Sequence, residues 1–125
     1  MEKLIRLVDF GYPSFREIRK IEGEFELEYL GMKFKAPGPI LSLFSFKEKY
    51  ILHWITNDSS KPNIAAFDKA LNRLWTMEDT KKLGHNQMGS LAQEEDGRIR
   101  VWNGAIYFDI DLHTGKLSNP VYCVW

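Results

Sequence analysis

Asp109, Asp111 and His113 alternate along the segment DIDLHTGK, and on a strand three such side chains share one face. Two carboxylates and an imidazole on one face are the donor set of a weak divalent-metal site. The spacing fails as a calcium loop, because the glycine falls at the seventh position and no bidentate glutamate closes the set. The TGK at its end lacks the first glycine and the following hydroxyl residue of a phosphate loop. A solvated strand end with turn-forming residues accounts for the same letters, so no metal and no cofactor is assigned.

Nucleophilic chemistry would need Cys123 with His53, His85 or His113 as base. A single thiol near the end of an aromatic strand reads as a small core residue, since activation requires a nearby cation or helix N-terminus. His53 alternates with Ile51 and Ile55 and reads as a hydrogen-bonded core histidine. HNQMGS, His85 to Ser90, is polar enough to reach a ligand and also reads as a plain connecting loop. The chain therefore reads as non-enzymatic.

Binding is the remaining class. Trp54, Trp102, Tyr107 and Trp125 alternate along expected strands, and Arg98 and Arg100 share a hairpin face with Trp102 and Tyr107. Trp102, Tyr107 and Arg100 thus form one candidate surface for a small ligand or for stacked bases. The acidic run Glu94 to Asp96 stands beside them, and 17 Lys and Arg balance 17 Asp and Glu, so no global field draws in nucleic acid or an anionic membrane.

The second candidate surface is IEGEFELEY, which puts Glu22, Glu24, Glu26 and Glu28 at every second position. A two-residue turn at Leu30-Gly31 sets Tyr29 against Met32, Glu28 against Lys33, Leu27 against Phe34 and Glu26 against Lys35. Glu22 and Glu24 then lie beyond the lysines, opposite APGP. A carboxylate row is the ordinary solvated face of a half-buried sheet, and equally an acidic ridge for a basic protein surface, where charge complementarity sets encounter rate and specificity.

These surfaces need elements to hold them. Leu4 to Val8 reads as a first strand, and Ser14 with Glu17 has capping spacing for a brief helical turn over Phe15 to Lys20. Ile40 to Phe46 and Tyr50 to Thr56 are apolar on almost every residue, as strands covered on both faces are. The expected cover is a helix over residues 63–75, with Ile64, Phe67, Leu71 and Leu74 at helical spacing. Thr76 is a second possible cap, for a short helix from Met77 to Leu83 stopped by Gly84. Asn103-Gly104 predicts a tight hairpin pairing Trp102 with Ala105, Val101 with Ile106, Arg100 with Tyr107, Ile99 with Phe108 and Arg98 with Asp109. With Leu91 to Glu95 before it and VYCVW after it, a four-stranded meander results. The expectation is a single α+β domain over residues 1–125, a mostly antiparallel sheet with one main helix packed on it. An all-β barrel or sandwich with that helix as a lid is the alternative.

At 125 residues, 44% hydrophobic and 14% aromatic, the chain can build a core without disulfides. Lacking a secretory apolar run or a membrane span, it reads as cytoplasmic. In this general build, and in the segment GAIYFDIDLHTGKL, it resembles the small immunity proteins of bacterial polymorphic-toxin and contact-dependent growth inhibition systems. The resemblance implies an inhibitor that binds one cognate toxin domain, often a nuclease and hence basic, and shields its working surface. It assigns no individual binding residue.

Overall fold

The computed structural model describes residues 2–12, 23–56, 58–80, 83, 85 to 122 of the chain. Eleven strands account for all the regular structure among them: β1 (Ile5–Asp9), β2 (Phe25–Tyr29), β3 (Met32–Ala36), β4 (Ile40–Phe46), β5 (Lys49–Trp54), β6 (Ile64–Asp68), β7 (Arg73–Thr76), β8 (Ser90–Gln93), β9 (Ile99–Trp102), β10 (Ile106–Ile110) and β11 (Leu117–Tyr122). They form a five-stranded sheet in the order β1-β4-β5-β6-β7, a four-stranded sheet in the order β11-β10-β9-β8, and the β2–β3 hairpin, with every pairing antiparallel. The fold is all-β, not α+β. No helix among the described residues is long and apolar enough to cross a membrane.

The expected helix over residues 63–75 is instead the β6–β7 hairpin. Ile64 to Phe67 are all buried, which a strand covered on both faces explains and a one-sided helix does not. Asp68 then ends the strand: its Oδ1 accepts the amides of Ala70 and Asn72, both at 2.9 Å, and Leu71 takes φ 66°. That side-chain acceptor competes with the helical ladder and closes a turn. Leu74, expected on the buried helical face, is exposed. Residues 77–80 are irregular, so the short helix from Met77 has no helical start, and its stop at Gly84 lies outside the described residues, as does the turn over Phe15 to Lys20.

The second face of β4 and β5 does need a cover, and the β2–β3 hairpin supplies it. Leu27, Phe34 and Ala36 from the hairpin pack with Ile40, Leu43, Leu52, Trp54, Ala65 and Phe67. Across the other face, Phe44, Ile51, Ala66 and Trp75 meet Leu91, Val101, Ile106 and Phe108 of the four-stranded sheet. The five-stranded sheet is thus the middle layer of three.

The irregular segment between β7 and β8 is tied down by amide side chains. Asn63, wholly buried, pairs with both backbone groups of Met88, its Nδ2 donating to the carbonyl at 2.9 Å and its Oδ1 accepting the amide at 2.7 Å, and it donates again to Trp54 O at 2.7 Å. Asn86 accepts the Thr80 amide and donates to Ser60 O, while Asn103 donates to the carbonyls of Leu83 and His85. Such partners satisfy backbone groups that no strand ladder reaches.

Candidate functional site

The β2–β3 hairpin keeps the register expected from its turn: Phe25 opposes Ala36, Glu26 opposes Lys35, Leu27 opposes Phe34, Glu28 opposes Lys33 and Tyr29 opposes Met32. Leu30 at φ 49° and Gly31 at φ 80° carry the chain through the reversal. One hairpin face is anchored, with Phe34 edge-on to Tyr50 and Phe67 at centroid distances of 5.4 and 5.8 Å. The other presents Glu24, Glu26, Glu28, Lys33 and Lys35 to solvent. Among the described residues none of these five makes an ion pair within 4 Å, although Glu26 and Glu28 stand directly opposite lysines. Glu22 lies outside the described residues. Leu30, read from the sequence only as a turn residue, is 82% exposed at the hairpin tip and held in a left-handed conformation that costs a branched side chain about 1 kcal/mol. The available signal was a leucine at a turn position that usually holds Asn or Asp.

The second surface is brought together by contacts among its own residues. Trp102 and Tyr107 are directly paired and stacked, with centroids 5.9 Å apart and planes 23° from parallel, and the Arg100 guanidinium lies 4.5 Å above the Tyr107 ring. Arg100 also faces Asp109 at 3.9 Å and Glu94 at 3.8 Å, and Arg98 meets Asp109 at 3.6 Å. Tyr107 is thus engaged by both Trp102 and Arg100, while Trp102 also lines a hollow of about 300 Å³ with Tyr12, Met88 and Asn103. The pairing is two residues away from the one expected of a tight Asn103-Gly104 turn: Trp102 opposes Tyr107, Val101 opposes Phe108 and Arg100 opposes Asp109. Asn103 Oδ1 takes the amides of Ala105 and Ile106, which widens the loop to four residues. An even shift leaves every side chain on its expected face.

Asp109, Asp111 and His113 do not converge. Asp109 is taken by the two arginines and by Asn119 at 2.8 Å, and Asp111 accepts the His113 amide within its own turn. No group of three His, Cys, Asp or Glu among the described residues is placed to hold a metal ion. His113 sits instead between Lys47, 3.4 Å from Nε2, and Lys49, 3.0 Å from Nδ1. A neutral imidazole has one accepting nitrogen, so it can bond only one of these lysines at a time. Cys123 lies outside the described residues, and His85 is exposed on the loop.

His53 is the buried core histidine expected, its Nε2 donating to Met88 O at 2.8 Å. Ser42 is its register partner across β4–β5, and no hydrogen bond joins the two side chains. Burial pushes the imidazole down to about 4 from an ordinary 6.5; the bond to Met88 opposes this and the Arg6 charge adds to it. The folded state therefore refuses a proton that the unfolded chain accepts between those values. Its stabilising effect is complete above pH 6.5 and is lost as pH falls toward 4, by about 3 kcal/mol in all. In His53→Gln, which keeps a donor for Met88 O, urea midpoints measured across this range are expected to lose that part of the slope. An unchanged slope would assign acid sensitivity to other groups.

No protein family, no curated protein and no solved structure matches this chain. What the site does must be read from its own geometry.

Proposed function

We propose that the protein is a non-catalytic, protein-binding inhibitor of the immunity type, which docks a basic toxin domain on the outer face of the β2–β3 hairpin. The supporting observation is the row Glu24, Glu26 and Glu28, exposed and without ion-pair partners among the described residues, on a hairpin whose other face is locked into the core. A rigid mount limits the ordering cost of association, and unpaired carboxylates speed encounter with a basic partner. Lys33 and Lys35 make the face mixed, so the reading is one of charge pattern and register rather than a uniformly acidic patch. Leu30 adds an apolar contact at the tip. The cytoplasm, where a toxin would meet its inhibitor, is the compartment this reading implies.

The test is the variant Glu24→Lys, Glu26→Lys, Glu28→Lys. All three side chains are exposed, so folding stability should move by no more than about 0.5 kcal/mol per site. The association rate with a partner captured from source cells should fall about tenfold or more at low salt, with the gap closing as salt is raised. Expression of the captured partner should arrest growth, and co-expression of this chain should relieve the arrest. Unchanged association by the triple variant would remove the hairpin from the interface, and a harmless partner would remove the inhibitor reading.

A further inference from the structure

A two-stranded hairpin spans about 5 Å between strand axes, whereas the sheet beneath it spans about 19 Å. Part of the middle sheet near β7 is left uncovered, and a cavity of about 470 Å³ opens there, between Pro37, Pro62, Trp54, Lys61, Arg73 and Thr76. A further hollow carrying Glu24 and Lys35 shares Pro37 and Arg73 with it. Three features of the wall bear on what it would hold. Trp54 is 97% buried, and its indole N–H, like that of Trp102, is closed to solvent and meets no acceptor, so it is the ring that forms the wall. Arg73 is exposed, lies 5.6 Å over the Phe67 ring and faces no carboxylate within 4 Å among the described residues. Lys61 is 4.0 Å from Asp58, which is itself held in its turn by Ser60.

The geometry points to a binding site for a small organic monoanion, a planar ring carrying one carboxylate. Arg73 supplies the fork that a carboxylate accepts in two parallel bonds. Trp54 and the two prolines give apolar walls for the ring. Asp58 on the rim repels a second negative charge, which sets a monoanion above phosphate. The site uses no residue of the carboxylate row, although Glu24 of that row lines the adjoining hollow that shares Arg73.

Benzoate, benzamide and inorganic phosphate are the probes, titrated at constant ionic strength into the folded chain while the Trp54 indole N–H resonance is followed. Trp54→Phe identifies that resonance by its loss. Benzoate should shift it saturably with a Kd of about 1 mM or tighter. Benzamide should bind at least about tenfold more weakly, and Arg73→Gln, a change at an exposed position, should weaken benzoate by a similar factor. Equal response to benzoate and benzamide, stronger binding of phosphate, or no saturable shift with benzoate would each overturn the assignment.

Discussion

Replacing Asn63 by alanine is expected to remove about 4 kcal/mol of stability, a large part of the roughly 5–15 kcal/mol that holds a domain of ordinary size together. The side chain is fully buried and makes three bonds to backbone, two of them to Met88. Alanine leaves the Met88 amide and the Trp54 carbonyl buried without these partners, and each such group costs about 1–3 kcal/mol. The Met88 carbonyl keeps the His53 Nε2–H, so His53→Gln and Asn63→Ala share an acceptor and their losses should not add. Asn63→Asp is more informative still. The introduced carboxyl can accept the Met88 amide but faces two carbonyl oxygens, so burial raises its folded pKa above the unfolded value of about 3.9. A raised folded pKa means that stability is present at low pH and is lost as pH rises. The deficit of this variant against the parent should therefore widen from pH 4 to pH 7, in urea midpoints read by tryptophan fluorescence. A loss below about 1 kcal/mol for Asn63→Ala would mean that the segment around Met88 is held by other contacts.

Asn63 also shows why the middle of the chain misleads. Between two polar turns, Ile64 to Phe67 and the leucines at 71 and 74 match a helical spacing as well as a buried strand. Two alanines favour the helix, and only the tertiary cover on both faces decides for the strand. Where the code is local, the reading holds. Leu30-Gly31 fixes the first hairpin's register, and the apolar run from Ile40 to Phe46 announces a strand buried on both sides. The four-stranded meander also follows from its turns, apart from the two-residue shift that the Asn103 side chain imposes.

The carboxylate row was legible for the same reason, since alternation plus a turn dictates a face. The cavity was not. Its walls come from β5, β7 and the loops after β3 and β5, so no single stretch of sequence carries its pattern. The three buried asparagines were hidden in another way: Asn63 before an apolar run and Asn103 before a glycine have the usual signature of a cap or a tight turn, Asn86 stands in a polar stretch that reads as a loop, and their bonds to Met88, Leu83 and Thr80 exist only once distant segments have met.

Gly38→Ala is the substitution expected to test how tightly the hairpin is fastened to the layer below it. Gly38 is buried between Pro37 and Pro39, in the link from β3 to β4. A Cβ placed on it would overlap the Ile55 carbonyl oxygen and lie 2.9 Å from the Ile55 carbonyl carbon. The obstacle is backbone, with no flexible side chain to move aside. The flanking prolines have fixed φ and cannot swing the link away, while the Ile55 amide is bonded to Pro39 O at 2.9 Å and holds the two segments together. Either that bond breaks or the hairpin lifts from β5, and a cost of about 3 kcal/mol or more follows. Because Pro37, Trp54 and Thr56 line the cavity beside this contact, the same change should alter the Trp54 environment even where the protein stays folded. A urea midpoint lowered together with a displaced Trp54 indole resonance is the expected result. An unchanged midpoint would mean that the link slides freely. The carboxylate row would then sit on a mobile arm, and the low ordering cost claimed for its association would be lost.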